Sequence, residues 1–194
     1  MSTSLSGRLG PWLFIALGLA NAACRREAPL DETKVTKTAQ ARLAPFKKSL
    51  KEALVASLSK GPNEAVDTCA LEAPRLALAH STGDLTLGRS AQKRRNHDNA
   101  PRPWVQQAME ELSRAPKDGA SKVVKLDGGR VGYVETIVAQ PMCLTCHGKS
   151  VPSDLAAKIK ARYPDDQATG FDTGDFRGVF WLEMPASLAQ ATSP

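Results

Sequence analysis

The feature that most constrains this chain is the motif Cys143-Leu144-Thr145-Cys146-His147, whose C-x-x-C-H spacing is the attachment signal for a c-type haem. Two thiols at this spacing can each form a thioether to one vinyl group of a porphyrin, and the adjacent imidazole can then bind the iron. With 4 Cys and 3 His in 194 residues, the motif is expected by chance on the order of once in a thousand such chains. We therefore expect one covalent haem c, with Cys143 and Cys146 as its anchors and His147 as the proximal ligand.

The same spacing also occurs in redox-active C-x-x-C motifs and in short disulfides. In a thioredoxin-like protein the motif opens a helix within a βαβ unit. Here Pro141 and Met142 directly follow a strand-like run, and no parallel βαβ pattern surrounds the motif. A thiol oxidoreductase that uses Cys143 and Cys146 is therefore the weaker alternative.

Residues 1–24 have the composition of an export signal. Arg8 is their only charge, and residues 11–20 form an apolar run that is shorter than the 20 or so residues of a membrane span. Cleavage after Ala22 fits the A-x-A rule, whereas Cys24 resembles the acylated cysteine of bacterial lipoproteins, with Asn21 where those signals usually carry leucine. We expect a periplasmic protein, or one outside the cytoplasmic membrane, with a lipid anchor at Cys24 as an open alternative. Bacterial c-type haem is attached outside the cytoplasm, which agrees with export.

The net charge of +6 and the pI near 9.3 would permit binding to nucleic acid or to anionic lipid. The basic residues are spread along the whole chain, however, which is typical of a solvated basic surface. We therefore expect no nucleic-acid partner, and contact with a membrane only through the lipid anchor.

The pattern after the signal predicts a polar tether at 25–38 and a single domain at 39–190. Apolar residues with helical spacing predict an amphipathic helix from Ala39 to Leu58, and a second helix begins near Asn63 and bends at Pro74. Further helices are predicted at 104–114 and 155–161, and strands at 83–89, 122–126, 130–139 and 178–184. Asp127-Gly128-Gly129 is a typical hairpin turn. Hairpin-linked strands with helices at the start and in the connections indicate an α+β domain on an antiparallel sheet.

The order of several motifs resembles a bacterial family of c-type haem domains that was long catalogued only as a domain of unknown function. The resemblance runs from about residue 40 to 184 and is carried by residues 65–69, 87–90, 95–96, 99–101, 137–138, 143–148, 163–171 and 174–178. A cyanobacterial member has a PAS-like fold, so the resemblance implies a PAS-like antiparallel sheet and a redox or gas-sensing role. The chain departs from the usual motif at His97, where proline is common.

The resemblance also implies that Cys69 is the distal ligand of the iron. From the residues alone, a buried and unligated cysteine is the more ordinary outcome. Rivals for the distal position are Met142, Met184, His80 and His97. Candidates for charge-assisted bonds to the haem propionates are the arginines Arg89, Arg94, Arg95 and Arg177, of which Arg89 and Arg95 lie inside the family-like motifs.

Two functions remain open at this point. The first is a sensor in which the haem iron changes ligand or oxidation state and a separate signalling protein receives the change. The second is a periplasmic electron-transfer cytochrome that meets only a redox partner. We expect no enzymatic activity, because the sequence offers no compelling distal acid or base beside the haem motif.

Overall fold

The computed structural model describes residues 29–190, so the predicted export signal, Cys24 and the first part of the tether lie outside the described residues. The helices are α1 (Glu32–Leu58), α2 (Pro62–His80), α3 (Pro103–Ser113), α4 (Leu144–His147), α5 (Ser153–Arg162) and α6 (Ala186–Gln190). The strands are β1 (Thr86–Ser90), β2 (Ser121–Lys125), β3 (Arg130–Val138) and β4 (Phe176–Pro185). Short 3-10 turns occupy His97–Asn99 and Pro141–Cys143.

The helix α1 begins upstream of the predicted position. Asp31 caps it by accepting a hydrogen bond of 3.1 Å from the backbone N–H of Lys34. Val35 is fully buried and continues the apolar stripe of Ala39 and Leu43 one turn upstream. Residues 32–38 therefore belong to the folded domain, and the prediction that they are part of the tether is wrong.

The four strands form one antiparallel sheet in the order β1-β4-β3-β2, which confirms the predicted α+β class. The hairpin between β2 and β3 turns at the predicted Asp127-Gly128-Gly129 segment. Gly128 and Gly129 have φ angles of +65° and +69°, a left-handed conformation that glycine adopts without strain. Because β1 and β4 are neighbours, residues far apart in sequence meet at the same end of the sheet.

Successive residues of a strand point to opposite faces, and here each face has its own helix. Tyr133 of β3 and Leu182 of β4 pack beneath α1 in one apolar cluster. Their neighbours Val134 and Trp181 pack against α3 on the other face. The helices α1 and α2 pack together as a pair, and α2 also contacts β1 and α5. Within residues 29–190, no helix is both long enough and apolar enough to cross a bilayer.

Candidate haem site

A cavity opens on the α1 face of the sheet, beyond the end of the apolar core. It is bounded by the C-terminal part of α1, the start of α2, β1, β3 and the C-x-x-C-H segment. It contains about 1090 Å³ of space free of protein atoms, with the open solvent at its mouth included. All six site residues predicted from the sequence line it: Cys69, Arg89, Arg95, Cys143, Cys146 and His147.

The C-x-x-C-H motif forms two successive helical turns, a 3-10 turn ending at Cys143 and then α4. Helical spacing places residues i, i+3 and i+4 on one side, so Cys143, Cys146 and His147 all face the cavity. Both motif cysteines are free thiols of intermediate exposure. Gly148 ends the turn by donating its N–H to Leu144 O at 2.9 Å, and a Cβ at Gly148 would lie only 2.6 Å from that oxygen.

His147 is oriented by the backbone of a distant loop. Its Nδ1 lies 2.6 Å from Ala168 O, so this nitrogen carries the proton and donates it to the carbonyl. Burial, followed by the charges of Arg177 and Arg95, holds the pKa of His147 well below its ordinary value. The imidazole is therefore neutral, and Nε2 keeps the lone pair that a metal requires. A ligating histidine whose other nitrogen donates to a carbonyl is the usual arrangement at metal sites.

Arg95 ties three segments together beneath the motif. It forms an ion pair with Asp166 at 3.1 Å, and the two side chains are 10% and 7% exposed. Its Nη2 also donates to Cys146 O at 2.6 Å and to Ala168 O at 3.4 Å. Arg95 was predicted as a propionate contact, but here its guanidinium is largely committed to holding the haem motif and the loop that carries Ala168.

Arg89 is different, because within the described residues it forms no ion pair with a carboxylate. It projects from β1 into the cavity, where burial lowers its pKa and the Cys69 thiol acts in the opposite direction. Burial likewise raises the pKa of Cys69, and the charges of Arg89, Arg95 and Arg177 oppose that rise. Arg89 is only partly exposed, and a cation removed from water without a counter-ion is destabilised. Arg89 is therefore suited to pair with an anionic group that enters this cavity.

The remaining lining divides into an apolar part and a cationic part. Leu54, Leu58, Val66 and Ile137 supply apolar surface, and Arg94 and Arg177 add positive charge. The pKa of Arg177 is lowered to about 10, first by burial and then by Arg89 and Arg95. A flat, largely apolar ligand with anionic substituents matches this lining, and the thiols and His147 match the donor set of a c-type haem.

Three of the four rivals for the distal position do not line the cavity. Met184 is fully buried in the cluster beneath α1. His80 lies at the end of α2 against Phe46, with ring centroids 6.0 Å apart. His97 is exposed and lies 3.2 Å from the carboxylate of Asp165. Only Met142 lines the cavity, so the candidates there are Cys69 and Met142.

Two residues of the site were not assigned a role from the sequence. Asp166 forms an ion pair with Arg95 and accepts the Ala168 N–H at 2.9 Å. Tyr163 lines the cavity, and its pKa is raised by burial and then by the nearby Cys69. Both lie inside a segment that carries the family resemblance, which is the signal that could have identified them.

Comparison with known proteins agrees with these motifs. A model of the family described as Tll0287-like, Tll0287, matches residues 30–185. Among solved structures, the chain is similar to the cyanobacterial heme-protein Tll0287, with 24% identity and a TM-score of 0.49 over 79% of this chain and 91% of that chain. Curated protein sequences give no match. Because the family match spans most of the chain and confirms the resemblance carried by the motifs, the chain belongs to the Tll0287-like family.

Proposed function

We propose that this chain is an exported, PAS-like protein that carries one covalent c-type haem and uses it as a redox or gas sensor. The observation that carries the proposal is the convergence of Cys143, Cys146 and His147 with Cys69 and Arg89 on one cavity. Membership of the Tll0287-like family supports haem as the ligand, since Tll0287 is a cyanobacterial heme-protein. The antiparallel sheet with helices on both faces supports the PAS-like description.

Each residue has a definite role in this proposal. Cys143 and Cys146 hold the porphyrin through thioethers, and His147, oriented by Ala168, is the proximal ligand. Arg89 receives a propionate, because its guanidinium has no carboxylate partner among the described residues. When bound, the haem supplies an iron that can change both oxidation state and axial ligand.

Cys69 is proposed as the distal ligand. It lines the cavity from α2 and interacts electrostatically with Cys146 of the haem motif. A thiolate donates electron density and favours ferric iron, so this ligation gives a low reduction potential. We propose no catalytic role, since among the described residues that line the cavity there is no carboxylate and no histidine besides His147.

An electron-transfer cytochrome is the alternative function. It is favoured by the position of the motif at the cavity mouth, where Met142 is 37% exposed and Cys143 and Cys146 are partly exposed. A haem edge near the surface would exchange electrons readily with a redox partner. Carbon monoxide or nitric oxide separates the two functions: rapid binding to the reduced protein with a change of structure supports a sensor, whereas inertness to both gases supports a carrier.

Intact-mass spectrometry tests the haem itself. Protein produced with the cytochrome c maturation machinery is expected to have the mass of the processed chain plus one haem. The C143S/C146S double variant is expected to lose that added mass because both thioethers are absent. If the unsubstituted protein shows the mass of the polypeptide alone, the proposal is wrong.

A matched pair of variants tests the distal ligand. Cys69→Ala is expected to abolish the thiolate features of the ferric absorption and EPR spectra and to raise the reduction potential. Met142→Ala is expected to leave both unchanged, although it also lines the cavity. An unchanged spectrum in Cys69→Ala, or an altered one in Met142→Ala alone, would remove Cys69 from the iron.

Export and lipid anchoring are tested by fractionation of cells that produce the full chain. We expect the protein outside the cytoplasm, in the periplasm or attached to a membrane. If Cys24 is acylated, Cys24→Ala moves the protein from the membrane fraction to the soluble fraction. Haem-loaded protein that remains in the cytoplasm would contradict export.

A further inference from the structure

A second cavity lies on the other side of Cys69. It contains about 590 Å³ of space free of protein atoms, its mouth included, and is lined from α2 by Ala73, Pro74 and Ala77. It shares four lining residues with the haem cavity: Cys69, Arg89, Asn96 and Asn99. Cys69 therefore borders both cavities.

The turn of α2 that carries Cys69 is held less firmly than an ordinary helical turn. Pro74 lies within α2 and has no N–H, so the carbonyl of Ala70 lacks its usual donor four residues ahead. On the outer side of the same helix, Leu71 is 61% exposed and Leu78 is 75% exposed. Within residues 29–190, no other element covers these two leucines, so the turn is packed from the inner side alone.

The second cavity can stabilise a sulfur atom. The Arg89 guanidinium lines both cavities, and with five N–H groups it can donate to a sulfur atom here while it also holds a propionate. The side-chain amides of Asn96 and Asn99 add further donors. Asp98 also lines this cavity, but it is exposed, so solvent screens its charge.

We propose that the second cavity receives the Cys69 side chain when a small uncharged diatomic ligand, such as carbon monoxide or nitric oxide, takes the distal position in the haem cavity. This inference rests on the proposed function and specifies how the site is regulated. In the exchange with carbon monoxide the Fe–S bond breaks and an Fe–C bond forms, and the iron remains ferrous. The sulfur leaves with its electron pair, takes up a proton from solvent and lies as a neutral thiol beside the side-chain amides of Asn96 and Asn99.

This exchange has a kinetic signature. If the thiol must leave before the diatomic ligand can bind, the binding rate reaches a limit at high ligand concentration. That limit depends on free space beside Ala73 and on the weakened turn at Pro74. Substitutions at these two positions therefore alter the rate without touching the haem cavity, since neither residue lines it.

The experiment uses the haem-loaded full chain, reduced and mixed with carbon monoxide in a stopped-flow instrument. Ala73→Leu fills the second cavity from a buried position, and Pro74→Ala restores the missing N–H donor without adding volume near the thiol. Each is expected to lower the limiting rate at least tenfold, with unchanged ferric absorption and EPR spectra. Ala79→Leu is the matched control, because Ala79 is exposed on the same helix, and it should bind carbon monoxide at the unsubstituted rate.

The outcomes separate this inference from the proposed function. In one outcome, Ala73→Leu and Pro74→Ala both show normal ferric spectra and the same limiting rate of carbon monoxide binding as the unsubstituted protein. That result would overturn the proposal that the second cavity receives Cys69, and it would leave the proposed function intact. If Ala73→Leu fails to load haem, Pro74→Ala decides by the same criterion. An unsubstituted protein whose ferric spectrum lacks a thiolate signature overturns both the distal ligation and the receiving site.

Discussion

Two adjacent aspartates allow a sharp test of how the haem motif is held. Asp166 is 7% exposed and bonds Arg95 through both carboxylate oxygens, at 3.2 and 3.1 Å. Its neighbour Asp165 is 73% exposed and pairs with His97, which is 70% exposed. Replacing either residue with alanine removes the same charge and the same volume, so the difference between the variants reports the buried ion pair together with the Ala168 N–H bond to Asp166.

The expected magnitude follows from burial. Removing one partner of a buried ion pair costs about 3–5 kcal/mol, because the other charge is left uncompensated. Arg95 keeps its bonds to Cys146 O and Ala168 O, which places Asp166→Ala near the lower end, at about 3 kcal/mol. That is about a 150-fold fall in the folding equilibrium constant. Asp165→Ala is expected to change stability by less than about 0.5 kcal/mol, since its pair is solvated.

The assay is urea unfolding of the haem-loaded protein, followed by circular dichroism and by tryptophan fluorescence. With a slope of about 2 kcal/mol/M, the midpoint of Asp166→Ala should fall by about 1.5 M, and that of Asp165→Ala should barely move. Coincidence of the two signals checks that one transition is being measured. Equal shifts of the urea midpoint in the two variants would refute the prediction. They would show that burial of the ion pair does not determine how much stability is lost.

Two further stability predictions concern the sheet. Gly178→Ala is expected to cost about 2 kcal/mol, because φ is +146° and a Cβ would lie 2.4 Å from Ser90 O; Gly128→Ala, with positive φ but open space, should cost about half as much. The free energies of unfolding of Gly178→Ala and Gly128→Ala are measured by thermal unfolding. Equal decreases in the two variants would contradict the prediction, because the close contact at Gly178 would then add no cost. Glu135→Ala should cost about 2 kcal/mol, because the buried Tyr133 hydroxyl loses its acceptor at 3.1 Å, whereas Glu135→Gln retains an acceptor and should cost less.

Local features of the fold were predictable because they depend on local spacing. The hairpin turn at 127–129 follows from two consecutive glycines, and the amphipathic stripe of α1 follows from helical periodicity. The upstream start of α1 is also encoded, since Val35 extends the stripe and Asp31 is a typical cap, although the polar composition of residues 25–38 predicts a tether there. Composition is a weaker signal than periodicity for this segment.

The roles of the arginines were not predictable, because they depend on which charge lies beside each one after folding. Arg95 and Asp166 are separated by 71 residues and meet only because the loop before β4 folds back onto the segment that follows β1. Nothing in the sequence distinguishes Arg95, which is neutralised by this pair, from Arg89, which is not. An arginine in a family-like motif is therefore a candidate for ligand contact, and its ion pairs decide whether it is available.

The convergence of Arg89 with Cys69 shows where sequence periodicity stops being informative. Arg89 has the same strand parity as Leu85 and Leu87, both buried in the cluster beneath α1, so the alternation alone predicts that Arg89 points to the α1 face. The position of Cys69 within α2 gives no comparable information, since the packing of α2 against β1 and α5 is a tertiary property. A charged residue on an otherwise apolar strand face is the part of such a site that can be identified from the sequence. The partner on the covering helix becomes identifiable only when the packing of that helix is known.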